Sequence, residues 1–370
     1  MTLILLFLLL VLFFHMQKRY YRAHSFDGTI CSVRFSTDGI FEGETGVIRE
    51  CFENRKFLPL LWLRIEYTLS WAIRLENRKA AARGTFYTLD GLFTLFSYER
   101  RTKEYPFVAM KRGVYHVTDL SAMTGDLLNY ERIIRQYEKG ETLHVYPRLL
   151  THEEIPVECT RMIGEIVSRR NLYEDLFVIR GIREYSPLDS FRRINWYASA
   201  RTGELKVNEY DLTSTTRIFI YLDCDMRYAR DEAVLREDCI SLSATLGVEF
   251  LMKQISVGFA SNGTDAFTGR GAVLSEGDGA VHRTELFRVH SRIDSSSADY
   301  PADPFADITF PVERQIYYIF ISQDRSGAVY QKYHEVKRRG ALASLIFPCD
   351  FEATKTVENL TDAIVWERAR

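Results

Sequence analysis

The first hydrophobic signal along the chain is a block, not a period. From Thr2 to Phe14 thirteen consecutive residues (TLILLFLLLVLFF) are apolar or weakly polar, and the sequence then changes abruptly to HMQKRYYR. At about 1.5 Å per residue, thirteen helical residues cover roughly 20 Å, short of the roughly 30 Å hydrocarbon core of a bilayer. Adding His15, Met16 and the aromatic pair Tyr20-Tyr21 makes an interface-anchored span. A cleavable signal peptide wants positive charge before the run and small residues after it. A buried core helix would need apolar neighbours on every side. Of the three readings the pattern favours a membrane anchor with a basic juxtamembrane segment over residues 1–24, contacting the membrane through residues 1–22. Lys18, Arg19 and Arg22 lie on its C-terminal side. The positive-inside rule then predicts a single-pass protein of the cell membrane, with its N-terminus outside and the bulk of the chain cytoplasmic.

Residues 25–150 read as short strands. Cys31 to Phe35, Gly46 to Phe52, Leu61 to Leu69, Gly84 to Phe96, Tyr105 to Met110, Tyr115 to Leu120 and Leu143 to Tyr146 are β-branched or aromatic-rich, and many alternate. Turn signals at Asp38-Gly39, Glu42-Gly43, Asp90-Gly91, Arg112-Gly113 and Lys139-Gly140 separate them. Seven strands at this spacing predict an antiparallel, immunoglobulin-like β-sandwich. The tetrapeptide Glu-Asn-Arg-Lys occurs at 53–56 and 76–79 without surrounding similarity and reads as coincidence.

The texture changes near residue 151. Glu153 to Arg170 has a helical apolar side at Val157, Met162, Ile163 and Ile166, and Val178 to Glu184 is strand-like. After Leu212 strand and helix alternate. Strands are predicted at Ile218–Leu222, Ile255–Ala260 (ending at Asn262-Gly263), Ile316–Ser322 and Leu342–Phe347. Helices are predicted at Glu232–Lys253, Gly279–Val289 and Gly327–Arg338. Continuous apolar strands linked by amphipathic helices predict a parallel sheet covered on both faces. Pro301, Pro304 and Pro311, with Ser295 to Ser297, mark a long loop from about 291 to 313. The predicted organisation is therefore an anchor (1–24), a β-sandwich domain (25–150), a helical linker with a signature stretch (151–212) and an α/β domain (213–370).

Composition adds compartment and excludes classes. The chain has 370 residues, 46% hydrophobic and 26% charged, which excludes disordered and collagen-like proteins. Its net charge of −2 resolves into 21 basic against 16 acidic groups (+5) in residues 1–150 and 27 against 34 (−7) in residues 151–370. Neither part is basic enough to wrap a polyanion, so no nucleic-acid partner is expected. The six cysteines contain no CxxC pair and read as reduced core residues of a cytosolic compartment.

Candidate chemistry concentrates in Gly181 to Tyr210, GIREYSPLDSFRRINWYASARTGELKVNEY. The stretch predicts a tight backbone approach at Gly181, a Ser-Pro turn, and a helix from about Ser190 to Arg201 with Asp189 as N-cap. On such a helix Arg192 and Trp196 are four apart, as are Arg193, Tyr197 and Arg201, which would allow guanidinium–aromatic stacking. Phe191, Ile194 and Ala198 would form its buried side. Six basic groups (Arg180, Arg183, Arg192, Arg193, Arg201, Lys206) face three acidic ones (Glu184, Asp189, Glu204), a local +3 in an otherwise acidic part. Two uses compete: ion pairs among Arg183, Asp189, Arg192 and Arg201 that pin the segment down, or a docking surface for a partner's carboxylates or phosphates. The stretch contains no nucleophile–base pair and no histidine, so catalysis ranks behind both.

The order Glu174-Asp175, Gly181-x-Arg183-Glu184-Tyr185-x-Pro187-x-Asp189, Arg192-Arg193-Ile194-Asn195-Trp196 and Ala198-x-Ala200-Arg201-Thr202-Gly203-Glu204-Leu205 resembles the signature of the domain-of-unknown-function family 58. These are bacterial and archaeal membrane-anchored proteins often encoded beside MoxR-type AAA+ ATPases. The resemblance extends over nearly the whole chain and implies a β-sandwich followed by a von Willebrand factor type A-like, Rossmann-type domain. It implies binding residues at Arg183, Tyr185, Asp189, Arg192, Asn195, Trp196 and Arg201. The chain departs from the pattern at Leu188, where the family has Gly, at Tyr197, where Lys follows the Trp, and in having one short apolar segment where the family has two.

A second constellation, Asp223-Cys224-Asp225-Met226-Arg227, follows the first predicted parallel strand. Von Willebrand A domains that bind Mg²⁺ place Asp-x-Ser-x-Ser there, because a hard octahedral cation takes a carboxylate, hydroxyls and waters. Asp223 matches and Asp225 offers a ligand, but Arg227 sets a permanent positive charge where the second hydroxyl should be, which disfavours Mg²⁺. The expectation is that Arg227 pairs with Asp223 or Asp225 and replaces the ion, or points to solvent, and that no cofactor is required. Asp324, after the third strand, is a further acidic loop residue. The eight histidines show no metal spacing, and Ser261-Asn262-Gly263 and Gly269-Arg270-Gly271 lack the Walker pattern. The resulting expectation is a membrane-tethered, non-enzymatic adaptor that recruits a protein partner, by the resemblance a MoxR-type ATPase, in assembling or maturing envelope complexes. The alternatives are a divalent-metal-dependent adhesion module through Asp223 and Asp225 and, last, a cell-envelope enzyme.

Overall fold

A computed structural model gives the fold, describing residues 2–75, 81–126, 132–137, 141–170, 174–187, 189–212, 217–227, 229–294, 304–305, 312–313, 315–325, 327–349 and 363–367. The second Glu-Asn-Arg-Lys copy, the Lys139-Gly140 turn, Leu188, Ser295 to Ser297, Pro301 and Pro311 lie outside them. The chain divides into two compact units, Met1–Arg148 and Leu149–Arg370.

The N-terminal unit opens with α1 (Thr2–His24), a helix long and apolar enough to cross a membrane. It is longer than the apolar block because nothing after Phe14 breaks a helix: Met16, Gln17, Lys18 and Arg19 are all good formers. Ile4 to Phe13 are exposed, whereas Gln17 and Tyr21 are buried and Phe14 and Lys18 half-buried, so only the last turns rest on the unit. The strands are β1 (Thr29–Phe35), β2 (Gly39–Phe41), β3 (Thr45–Asn54), β4 (Leu60–Ser70), β5 (Ile73–Leu75), β6 (Ala81–Arg83), β7 (Phe86–Leu95), β8 (Arg100–Ala109), β9 (Gly113–His116), β10 (Thr118–Gly125), β11 (Arg132–Gln136) and β12 (Thr142–Tyr146). They form sheets in the orders β1-β3-β8-β5, β11-β10-β4-β7-β6 and β2-β12-β9, antiparallel except for the β2–β12 pair. Alternation along β3 and β4 turns Ile48, Phe52, Leu63, Ile65, Tyr67 and Leu69 into one core with Phe93 and Phe107. Each such side chain contributes roughly 1.5–3 kcal/mol by leaving water. One predicted strand is two, since Tyr115 to Leu120 breaks between β9 and β10; the Gly84 to Phe96 stretch is the single strand β7, and Gly84, whose φ of 65° only glycine adopts without strain, belongs to the turn before it.

The C-terminal unit contains α2 (Val157–Arg170), β13 (Glu174–Glu184), a 3₁₀ turn (Phe191–Arg193), α3 (Trp196–Thr202) and β14 (Lys206–Leu212). There follow β15 (Arg217–Leu222), α4 (Glu232–Met252), β16 (Val257–Thr264), β17 (Gly271–Gly277), α5 (Gly279–Arg292), β18 (Ile316–Ile321), α6 (Ala328–Arg338), β19 (Leu342–Cys349) and β20 (Ala363–Glu367). β13 and β14 make a separate antiparallel ribbon; the rest form one sheet ordered β17-β16-β15-β18-β19-β20. Along β15, Phe219 and Tyr221 face the cluster that α6 completes with Val329, Tyr333 and Val336. On the other face Ile220 lies beside Gly247 of α4, where Leu286 of α5 also packs.

The sheet is mixed where a parallel one is predicted, because β17 returns antiparallel to β16. The Asn262-Gly263 pair reads as a turn but continues the strand. Gly263 is there because a Cβ would lie 2.7 Å from Ile293 Cγ2 and 2.8 Å from Cys224 Sγ. The turn comes later, where Asp265 Oδ1 accepts the Phe267 and Thr268 amides at 2.8 and 3.2 Å and Gly269 has φ of 67°.

Candidate functional site

The predicted Ser190–Arg201 helix is two pieces. Ser190, not Asp189, caps the 3₁₀ turn, and Ile194 leaves the helical path to bridge Val207 of β14. The Asn195 amide donates to the Lys206 carbonyl (2.8 Å), so Asn195 is extended and starts a fresh helix by accepting the Ala198 amide on its side chain (2.9 Å). Its Nδ2 donates to Asn208 Oδ1 at 2.7 Å. Arg192 and Arg193 therefore lack the four-residue helical relation to Trp196 and Tyr197. Of the predicted buried side only Ile194 is buried; Phe191 is exposed. The close approach predicted at Gly181 is also missing, since a Cβ there would meet only Glu209 Oε2 at 3.6 Å.

The sequence-predicted residues separate into two groups. Arg183 donates to both carboxylate oxygens of Asp189 at 2.5 and 2.7 Å, and Asp189 also accepts the Ser186 amide at 2.8 Å. The Arg183 hydrogen bonds, then the Ser186 amide, hold the Asp189 carboxyl below its ordinary range, and the same contact raises Arg183. Tyr185 stacks on Phe191 with centroids 5.9 Å apart. Arg183, Asp189 and Asn195 thus shape the loop. Trp196 (67% exposed), Tyr197 (81%), Phe191, Arg192 and Arg201 instead present aromatic and cationic groups to solvent.

The second constellation lies at the C-terminal edge of β15 and β18. Asp223 is buried; its Oδ1 accepts the Asp225 amide (3.0 Å) and Asn262 Nδ2 (2.7 Å), and its Oδ2 accepts the Ser322 hydroxyl (2.6 Å). Burial pushes this carboxyl up to about 6 against the pull of those donors, with the Asp225 charge adding to the rise. Arg227 pairs with Asp225, not Asp223, its Nε lying 2.9 and 3.0 Å from the two oxygens. Arg236, also buried, donates to the Cys224 carbonyl (2.9 Å). Asp324 is turned away to the start of α6, where it accepts the Gly327 and Val329 amides at 2.6 and 2.9 Å. Among the described residues no group of three or more His, Cys, Asp or Glu is placed to share an ion. Asp223 faces three donors and Asp225 a guanidinium, a set that suits a closed hydrogen-bond network better than a divalent cation.

Sequence reasoning missed Asn262 and Ser322 here. Ser322 was legible in principle, as the residue following the third parallel strand beside Asp223. Asn262 was hidden by its turn-like neighbour Gly263; its Oδ1 accepts the Cys224 amide at 2.7 Å, which fixes which end of the amide faces Asp223.

The fold and site together define an apolar N-terminal helix, an antiparallel β unit and a mixed α/β unit with two polar constellations. No family model matches the chain. It is similar to the uncharacterized protein YeaD of Bacillus subtilis (strain 168), 26% identical over 207 residues that make up 56% of this chain and 49% of that protein. The chain thus matches about half the length of that curated relative. Among solved structures it overlaps a type I cohesin from Pseudobacteroides cellulosolvens (14% identical, 33% of this chain, 96% of that one, TM-score 0.23). It also overlaps a type II cohesin from the cellulosome of Acetivibrio cellulolyticus (8% identical, 31% and 94%, TM-score 0.24). Both scores are too low to assign either fold to this chain.

Proposed function

We propose that the protein is a membrane-tethered, non-enzymatic adaptor of the domain-of-unknown-function family 58 type, with an immunoglobulin-like sandwich and a von Willebrand A-like domain, that recruits a MoxR-type ATPase. The observation that carries this reading is the signature segment. Its conformation is set by Arg183–Asp189 and Asn195, and it holds Phe191, Arg192, Trp196, Tyr197 and Arg201 outward on a short, braced element. Exposed aromatic and arginine side chains on a rigid support are the composition of protein-binding hot spots. The test is capture of the cognate ATPase by the full chain in detergent or nanodiscs. Binding that Trp196→Ala with Arg201→Glu abolishes supports the reading; no binding by the full chain, or binding untouched by those changes, overturns it. The donor arrangement around Asp223 favours the adaptor over the metal-dependent module. Mg²⁺ or Mn²⁺ should leave the melting temperature unchanged, and a rise abolished by Asp223→Ala would establish the metal reading instead.

A further inference from the structure

One end of the N-terminal unit is built around the root of α1. Gln17, Lys18 and Tyr21 follow Phe14 by three, four and seven residues, so the buried and half-buried positions form one face that seats the helix. The Tyr21 hydroxyl donates to the Pro59 carbonyl at 3.5 Å. Helical side chains slope toward their own N-terminus, so Pro59 lies on the apolar-block side of Tyr21. Lys56 Nζ, in the same β3–β4 loop, donates to the Ser25 and Asp27 carbonyls and the Thr29 hydroxyl at 2.5, 2.9 and 2.6 Å. The Arg55 amide donates to the Gly28 carbonyl at 2.9 Å. The β7–β8 loop joins this group: the Tyr98 amide donates to the Lys56 carbonyl at 3.3 Å, and the Ser97 hydroxyl donates to the Phe57 carbonyl. The two loops form a collar at the base of the helix.

The tips of that collar are aromatic and open to solvent. Phe57 is 79% exposed and Tyr98 70%, with Phe96 also exposed. On α1 itself Tyr20 is exposed and stacks on His24 (4.8 Å), beside exposed Arg19 and Arg22. Arg55 and Arg100 share Glu53 and Lys56 adds a further cation, so the collar offers its apolar tips beside an excess of positive charge. Aromatic rings with nearby cations are the side chains that settle at a bilayer's headgroup boundary.

We infer that the collar is a lipid contact: Phe57, Phe96 and Tyr98 enter the headgroup–acyl boundary of the bilayer that α1 enters, and Arg19 and Arg22 meet lipid phosphates. This rests on α1 being a membrane helix. The occupant is lipid because the collar sits at the base of the helix whose exposed apolar block a bilayer would take, with exposed Met16 and Tyr20 on the helix between the two. An internal comparison is available. Leu60 pairs with Leu95 at the collar end and Ser70 with Phe86 at the other, and β4 between them extends roughly 35 Å. Trp71, 51% exposed, marks that far end and should stay in water.

The test uses the full chain in nanodiscs of phosphatidylcholine and phosphatidylglycerol, with a benzophenone side chain placed singly at Leu8, Phe57, Tyr98 or Trp71. After irradiation, lipid adducts are expected at Leu8, Phe57 and Tyr98 and at background only at Trp71. Adducts at Leu8 with none at Phe57 and Tyr98 would overturn the collar contact and leave the anchor standing. No adducts at Leu8 would remove the anchor and the collar contact together. Adducts at Trp71 as abundant as at Phe57 would show unspecific association and overturn the contact. In a second measurement, Phe57→Ser should sharply reduce adducts from the label at Tyr98, and undiminished labelling counts against the contact.

Discussion

Asp223 is a carboxyl kept from water among donors, and its titration should appear in the stability of the whole chain. Its folded value of about 6 stands above the ordinary value near 4, so between those two pH values the folded chain binds the extra proton. Stability from this group therefore falls as pH rises from about 4 to about 6 and is level beyond it. Melting curves across that window should show the slope in the wild type and lose it in Asp223→Asn. The opposite sign applies to Asp189, held below its ordinary range by Arg183 and the Ser186 amide. Its contribution is complete above about pH 4 and is lost as pH falls through the depressed value. Ser322→Ala removes the donor on Asp223 Oδ2 and the acceptor of the Asp324 amide (2.9 Å), and should cost about 1–3 kcal/mol in urea unfolding. Asp223 was legible from its place after an apolar strand. Of its partners, Ser322 could have been read from its like place after the third parallel strand, but Asn262 could not, because it reaches Asp223 from a strand far away in sequence and spacing carries no record of that.

At the scale of the element, hydrogen-bonded ends and close approaches decide what forms. Asp324→Ala leaves the first amides of α6 without their acceptor and should lower stability by about 0.5–2 kcal/mol. Gly263→Ala forces a methyl against Ile293 and Cys224 and should cost about 1–3 kcal/mol, seen as a lower melting temperature with β16 the first segment to exchange its amides. β15, β18, β19 and α4 could be read from the sequence because their apolar runs are long and buried, and α6 because Val329, Tyr333 and Val336 recur at helical spacing. β2 and β5 are three residues each, too short for alternation to register. β17 was unreadable for another reason: an edge strand with one neighbour buries little, so Gly271 to Gly277 carries no apolar stripe. The signature helix failed to appear as one piece because the Ile194 bridge to Val207, a contact beyond the helix's own residues, interrupts it.

For the whole molecule the decisive feature is that α1 is seated at its C-terminal end in the folded unit and exposes an apolar block at the other, which on the proposed reading enters a membrane. Deleting Thr2 to Phe13 keeps Phe14, Gln17 and Tyr21, so the shortened protein should move to the soluble fraction with its urea midpoint unchanged. Retention at the membrane would mean that the apolar block is not an anchor. Deleting through His24 also removes Tyr21 from its buried place beside Pro59, and that midpoint should fall. The sequence pattern marked where the apolar block ends but not that the helix runs on into the folded unit, since Gln17 and Tyr21 look no different from surface residues until their neighbours are known. On the proposed membrane reading, a helix seated in this way would leave no free joint between membrane and domain. The N-terminal unit would then turn with α1 as one body, at the slow rotational rate of an object held in lipid, and keep a fixed height and tilt above the bilayer. A partner confined to the same surface would meet an oriented, two-dimensional population, so much of the rotational freedom that binding ordinarily removes would already be gone before the two touch.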